Sequence, residues 1–205
     1  MDKFNNTFRI ESHRLRGYDY SGDGMYFVTL VIQGRDCILG TVKDEEVILS
    51  EFGKLIKEEW LKSFSIRKEL FLDEFIIMPN HLHGLLIIKN NYDQTEEMHG
   101  SNVQTQGLAS LEKNIRWQSE PVDIEFKRKP KSLSSFVAGF KSGSTNAIDN
   151  YIDLKHLDIP KYNRDNKLWQ ASYHDRIIRN EREYWKIKNY IKSNPKNWEM
   201  DDMYR

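Results

Sequence analysis

The chain has 205 residues, a length that suits one domain better than two, and its 31 Lys and Arg balance 31 Asp and Glu, so any polyanion site must be a local patch rather than a uniform basic coat. With 39% hydrophobic and 30% charged residues the composition is globular, far from both the membrane and the fully disordered classes. The single cysteine, Cys37, excludes an internal disulfide and a Cys-rich zinc site, and the lack of an apolar export segment or a long apolar run leads to the expectation of a soluble, cytoplasmic protein.

The expected organisation is one domain over 1–205, with an N-terminal arm at 1–24 and a polar insertion at about 90–130. In the arm, Gly17, Gly22 and Gly24 punctuate a basic and aromatic stretch, HRLRGYDYS. MYFVTLVIQ (25–33) is dense in β-branched and aromatic side chains and predicts the first strand. Across 44–67, Leu49, Phe52, Leu55, Ile56 and Trp60 recur at helical spacing, predicting one amphipathic helix in which Ser50 caps the second part. Two apolar runs, 70–78 and 81–88, meet at Pro79-Asn80 and predict a hairpin. The stretch from 90 to 130 has no sustained periodicity, as functional or disordered loops do not, and its end, FKRKPK, gathers Lys127, Arg128, Lys129 and Lys131. A solvated linker end and a polyanion contact both suit that cluster. Leu133, Phe136, Val137 and Phe140 predict a helix running toward Ile148, LWQASYHDRIIRN a last strand, and 181–194 a final helix with Tyr184, Ile187 and Ile191 on one stripe, stopped by Pro195. This order suits an α+β sandwich with helices packed on an antiparallel sheet.

His81 and His83, one residue apart on a strand, point to the same face, which is ligand geometry once a third donor is present. Without a cysteine cluster, an open site for a divalent cation fits better than a closed zinc site. Tyr190 and Asn194 lie one helical turn apart, placing a carboxamide oxygen beside a phenol. Each also has an ordinary reading, a packed aromatic and a helix C-cap, and a residue before proline tends to leave the α region.

MPNHLHG (78–84) resembles the HUH signature of single-tyrosine transposases. RLRGYDYS with YFVT, DEFIIMPNHLHG, FKSGSTNAI, LWQASYHDRIIRNE and YIKSNPKNW are similar, in order, to the blocks of REP-associated tyrosine transposases of the insertion-sequence-200-like superfamily, from about Arg14 to Trp198. The resemblance implies a ferredoxin-like fold with helices on one face of a four- to five-stranded antiparallel sheet. It also implies cleavage and rejoining of single-stranded or hairpin DNA through a 5′-phosphotyrosine, and a divalent cofactor, Mg2+ or Mn2+. Carried over, His81 and His83 match metal ligands, Tyr190 the nucleophile and Asn194 a third, polar ligand. A nucleoid-associated location follows, with a homodimer or a monomer both open. The runner-up function is a domesticated binder of structured DNA that does not cut, and a hydrolase of small phosphoesters ranks third.

Under this reading Arg14 and Arg16, with His13, offer an arm contact to DNA, as do Lys127, Arg128, Lys129 and, from the middle helix, Lys141. Trp117, Trp169 and Trp198 could stack on unpaired bases, although two of the three are expected to be mainly structural. Tyr173, beside His174 and Asp175, is the rival nucleophile, its ordinary reading being sheet packing.

Overall fold

The computed structural model describes residues 3–4, 7–8, 18–90 and 130–204. Near the N-terminus the short strands β1 (Lys3–Phe4) and β2 (Thr7–Phe8) pair with each other. The central strand, β3 (Gly24–Val31), is the expected apolar run. A small hairpin follows, β4 (Gly40–Lys43) and β5 (Glu46–Leu49), then α1 (Glu51–Ser65) and the long hairpin β6 (Leu70–Ile77) and β7 (His81–Ile88). After the insertion come α2 (Leu133–Leu154), β8 (His174–Ile178), α3 (Glu181–Ser193) and a 3-10 turn over Pro195–Met200. The main sheet has the order β6-β7-β3-β8 with every neighbour antiparallel, so the protein is α+β with a four-stranded antiparallel sheet. The insertion at 91–129 and the arm through Gly17, apart from β1 and β2, lie outside the described residues.

Strand alternation divides the interior into two layers. Tyr26, Val28 and Leu30 of β3 and Leu82, Leu86 and Ile88 of β7 pack with Ile56 and Trp60 of α1 and Phe136, Val137 and Phe140 of α2. Met25, Leu85, Ile87 and Ile178 turn the other way, onto Tyr184, Ile187 and Ile191 of α3. The expected placing of helices on one face therefore holds for α1 and α2 but not for α3, which covers the opposite face. β7 is buried along its whole length, so both of its faces need apolar cover. Gly84, on the α1 side of β7, is required by close approach: a Cβ there would lie 2.5 Å from Trp60 Cζ2.

The single helix expected over 44–67 is corrected. Residues 40–49 form the β4–β5 hairpin, whose tip residues Asp44 and Glu45 have φ of 51° and 62°, the left-handed values of a mirror-type turn that matches strand twist. The apparent helical spacing from Leu49 to Phe52 runs across the boundary at Ser50, whose hydroxyl accepts from Gly53 N at 3.1 Å and donates to Ile38 O at 2.6 Å. The expected last strand is shorter than the sequence pattern: only His174–Ile178 pairs with β3, while Trp169 meets Ile32 in an isolated bridge. No helix among the described residues is long and apolar enough to cross a membrane.

Candidate active site

β7 begins with His-Leu-His-Gly, and its alternation sends Leu82 into the α1–α2 layer and both imidazoles toward the α3 side. The register sets Thr29 of β3 opposite His83, and Thr29 Oγ1 lies 2.8 Å from His83 Nδ1. His81 Nδ1 lies 2.9 Å from Asn80 Oδ1, leaving the two Nε2 atoms facing each other at 3.0 Å. Phe27 stacks on His83 with centroids 5.2 Å apart, and Trp198 packs beside His81 at 5.9 Å. Both histidines are buried.

The apolar stripe of α3 docks on the sheet and holds Tyr190 at the margin of the contact. The residue is 43% exposed, so a large substrate could reach it, yet its hydroxyl lies 3.2 Å from His83 Nε2. One turn on, Asn194 is buried; its Nδ2 donates to Asp201 Oδ2 at 3.3 Å, and its Oδ1 is buried with no hydrogen-bond partner. Asp201 also accepts from Met203 N at 2.7 Å, and its carboxylate lies with the nitrogens of His81 and His83 inside a 4.8 Å cluster of ligating atoms.

Burial lowers the pKa of His81 to about 4 against the opposing pull of Asp201, and burial with the neighbouring His81 holds His83 well below its ordinary value. Both rings are therefore neutral at physiological pH and have a lone pair to offer. Burial, reinforced by the Asp201 charge, raises the Tyr190 pKa, although a hydrogen bond with Asn194 works the other way. The phenol is thus protonated at rest and needs an activated electrophile. Two neutral imidazoles and a carboxylate whose ligating atoms share one small cluster fit a divalent cation, and the buried Oδ1 of neighbouring Asn194 is an orphaned acceptor that is costly until something binds it.

The structure brings His81, His83, Tyr190 and Asn194 to one place. Asp201, absent from the sequence reading, joins them; its only signal is the acidic pair Asp201-Asp202 beyond the last recognisable block. Asn194 keeps α geometry (φ −59°, ψ −43°) in spite of Pro195, because the 3-10 turn starts directly behind it with proline at a tolerated first position. Lys141 donates to the carbonyls of Gln170 and Ser172 at 2.6 and 3.0 Å, tying down the segment ahead of β8. Tyr173 packs against the α1–α2 layer, away from the histidines. Trp169 is buried and donates to Ser144 Oγ at 2.9 Å, and Trp198 is buried beside His81, so both have structural roles. His13, Arg14, Arg16, Trp117, Lys127, Arg128 and Lys129 lie outside the described residues.

No family profile matches the chain. It is 30% identical over 193 residues to an uncharacterized protein of Haemophilus influenzae, covering 94% of this chain and 92% of that one. Among solved structures, a REP-associated tyrosine transposase bound to a REP hairpin overlaps 94% of this chain and 74% of its own at a TM-score of 0.49 and 14% identity. A Deinococcus radiodurans chain named as a transposase overlaps 87% and 95% at a TM-score of 0.42 and 18% identity. The fold assignment stands on strand order and register, not on these overlaps.

Proposed function

We propose that this chain, which belongs to one family with the Haemophilus influenzae protein, cleaves and rejoins single-stranded or hairpin DNA by means of a tyrosine nucleophile. The observation that carries the reading is the Tyr190 hydroxyl 3.2 Å from His83 Nε2, at the exposed rim of a donor cluster made of the buried His81 and His83 and the half-buried Asp201. The ordered transposase-like blocks, from the arm to YIKSNPKNW, support the same chemistry.

His81, His83 and Asp201, together with the unpartnered Oδ1 of Asn194, would hold the divalent cation, Mg2+ or Mn2+. Bound there, it supplies Lewis acidity and charge neutralisation at a scissile phosphate. Tyr190 lies beside that position, half open to solvent, with its ring edge on Phe27 at a centroid distance of 6.1 Å. Its oxygen attacks phosphorus, the Oη–P bond forms and the P–O3′ bond breaks. The phenolic proton is lost to solvent and the departing O3′ takes one up. The product is a 5′-phosphotyrosyl protein and a free 3′-hydroxyl. The link keeps the phosphodiester energy, so rejoining is the reverse step and no nucleotide is consumed; no GxxxxGK[ST] loop occurs in the sequence.

The test is a suicide oligonucleotide, single-stranded or hairpin, incubated with Mn2+ and resolved as a covalent protein–DNA band. Wild type is expected to form the band and Tyr190→Phe to lose it while still binding DNA. An undiminished band from Tyr190→Phe eliminates this nucleophile. DNA binding without any band from wild type favours a binder that does not cut.

A further inference from the structure

Asn80 sits at the tip of the β6–β7 hairpin, a place where a turn residue is normally open to water, yet it is fully buried. Its Nδ2 lies 3.0 Å from the Arg35 carbonyl and 2.8 Å from the Met203 carbonyl. Carbonyls only accept, so the amide atom facing both of them must be the NH2 group, and the atom facing His81 must be the oxygen. An amide oxygen only accepts as well. The proton in the 2.9 Å contact between Asn80 Oδ1 and His81 Nδ1 therefore belongs to the imidazole. In a neutral ring, that leaves His81 Nε2 bare.

We infer that Asn80 is a positioning residue of the metal site: it locks His81 in the Nδ1–H tautomer, with the Nε2 lone pair aimed at the cation, and pins the C-terminal segment that delivers Asp201. The second half rests on the same side chain. The Met203 carbonyl that Asn80 holds belongs to the residue whose N–H, 2.7 Å from Asp201 Oδ1, orients the carboxylate. One amide thus sets the proton on one ligand and the place of another.

His83 is supported differently. With His81 Nε2 bare, the 3.0 Å contact between the two Nε2 atoms needs the proton on His83 Nε2 in the metal-free protein. His83 Nδ1 then accepts from Thr29 Oγ1. A hydroxyl can rotate to accept instead, so His83 is free to move its proton to Nδ1 when a cation takes its Nε2. His81 is the preset ligand and His83 the adaptable one. Partners of this kind orient metal-bound histidines, and their loss typically weakens metal affinity by about 10–100-fold.

This inference rests on the proposed metal site but needs neither DNA nor cleavage, so it can fail separately. Long-range proton–nitrogen NMR of the metal-free wild type is expected to show His81 with a pyrrole-type Nδ1 and a pyridine-type Nε2. Calorimetric Mn2+ titration of Asn80→Ala is expected to show affinity lower by about 10–100-fold, with His81 spread over both tautomers. Asn80→Asp keeps an acceptor for His81 but loses both donations, so it is expected to keep the Nδ1–H signature and bind Mn2+ more tightly than Asn80→Ala. A wild-type His81 with its proton on Nε2 overturns the inference, as does a folded Asn80→Ala that binds Mn2+ like wild type. The wild-type measurement decides the matter even where Asn80→Ala does not fold. A protein that passes these measurements and forms no DNA adduct loses only the strand-transfer reading.

Discussion

Asp201 changes the chemistry expected at the residue scale. A carboxylate is a stronger partner for a hard divalent cation than a neutral amide, and both of its oxygens are already oriented, one by Met203 N and one by Asn194 Nδ2. Asn194 steadies Asp201 through its nitrogen, while its buried oxygen has no hydrogen-bond partner. From this arrangement Asp201→Asn should weaken Mn2+ binding by about 100-fold and Asn194→Ala by about tenfold, measured by calorimetry on the DNA-free protein. The opposite order would return the third-ligand role to Asn194. Short-range spacing showed that His81 and His83 share a strand face and that Tyr190 and Asn194 share a helix face, while the resemblance of MPNHLHG and YIKSNPKNW to transposase blocks is what joined the two pairs into one expected site. Asp201 was not legible, because no periodicity connects a residue behind a proline-started 3-10 turn to a strand more than a hundred positions earlier.

At the element scale the site depends on β7, a strand that serves both layers at once. Its even positions anchor it against α1 and α2, and its odd positions carry the histidines and the floor on which α3 docks. Gly84 lets Trp60 settle directly against the strand next to His83, so Gly84→Ala forces the indole or the strand to shift. The expected cost is about 1–3 kcal/mol of stability by urea denaturation. A substitution that leaves the midpoint unchanged would mean that Trp60 has room to move. α3 is fastened at the far side of the sheet, where Asp73 receives Tyr184 Oη and Lys188 Nζ, both at 2.9 Å. The helix that carries Tyr190 is therefore tied down by polar contacts as well as by its apolar stripe. Ser50 illustrates the boundary problem in the opposite direction. Its capping chemistry was visible, but the strand just before it had apolar residues whose spacing happened to continue the helical pattern.

For the whole molecule, zero formal charge means that the DNA binding proposed above would have to come from local clusters rather than from the overall field. The Lys127–Arg128–Lys129 run is the densest basic cluster in the sequence. Replacing all three with alanine should weaken single-stranded DNA binding and reduce the slope of log affinity against log salt by roughly 2, since each phosphate contact contributes about 0.7. An unchanged slope by fluorescence anisotropy would make the run a solvated linker end. The α+β class, the hairpin with its paired histidines, the helix α2 and the body of α1, though not where α1 starts, were determined by sequence alone, because alternation, helical periodicity and capping act over a few residues. Only the tertiary structure decided that α3 crosses to the opposite face, that the Asn80 amide is buried against His81, and that the side chain of Asp201 joins the two histidines. Those outcomes depend on which surfaces must be hidden from water and which polar groups must then be satisfied, and such demands arise only when distant segments meet.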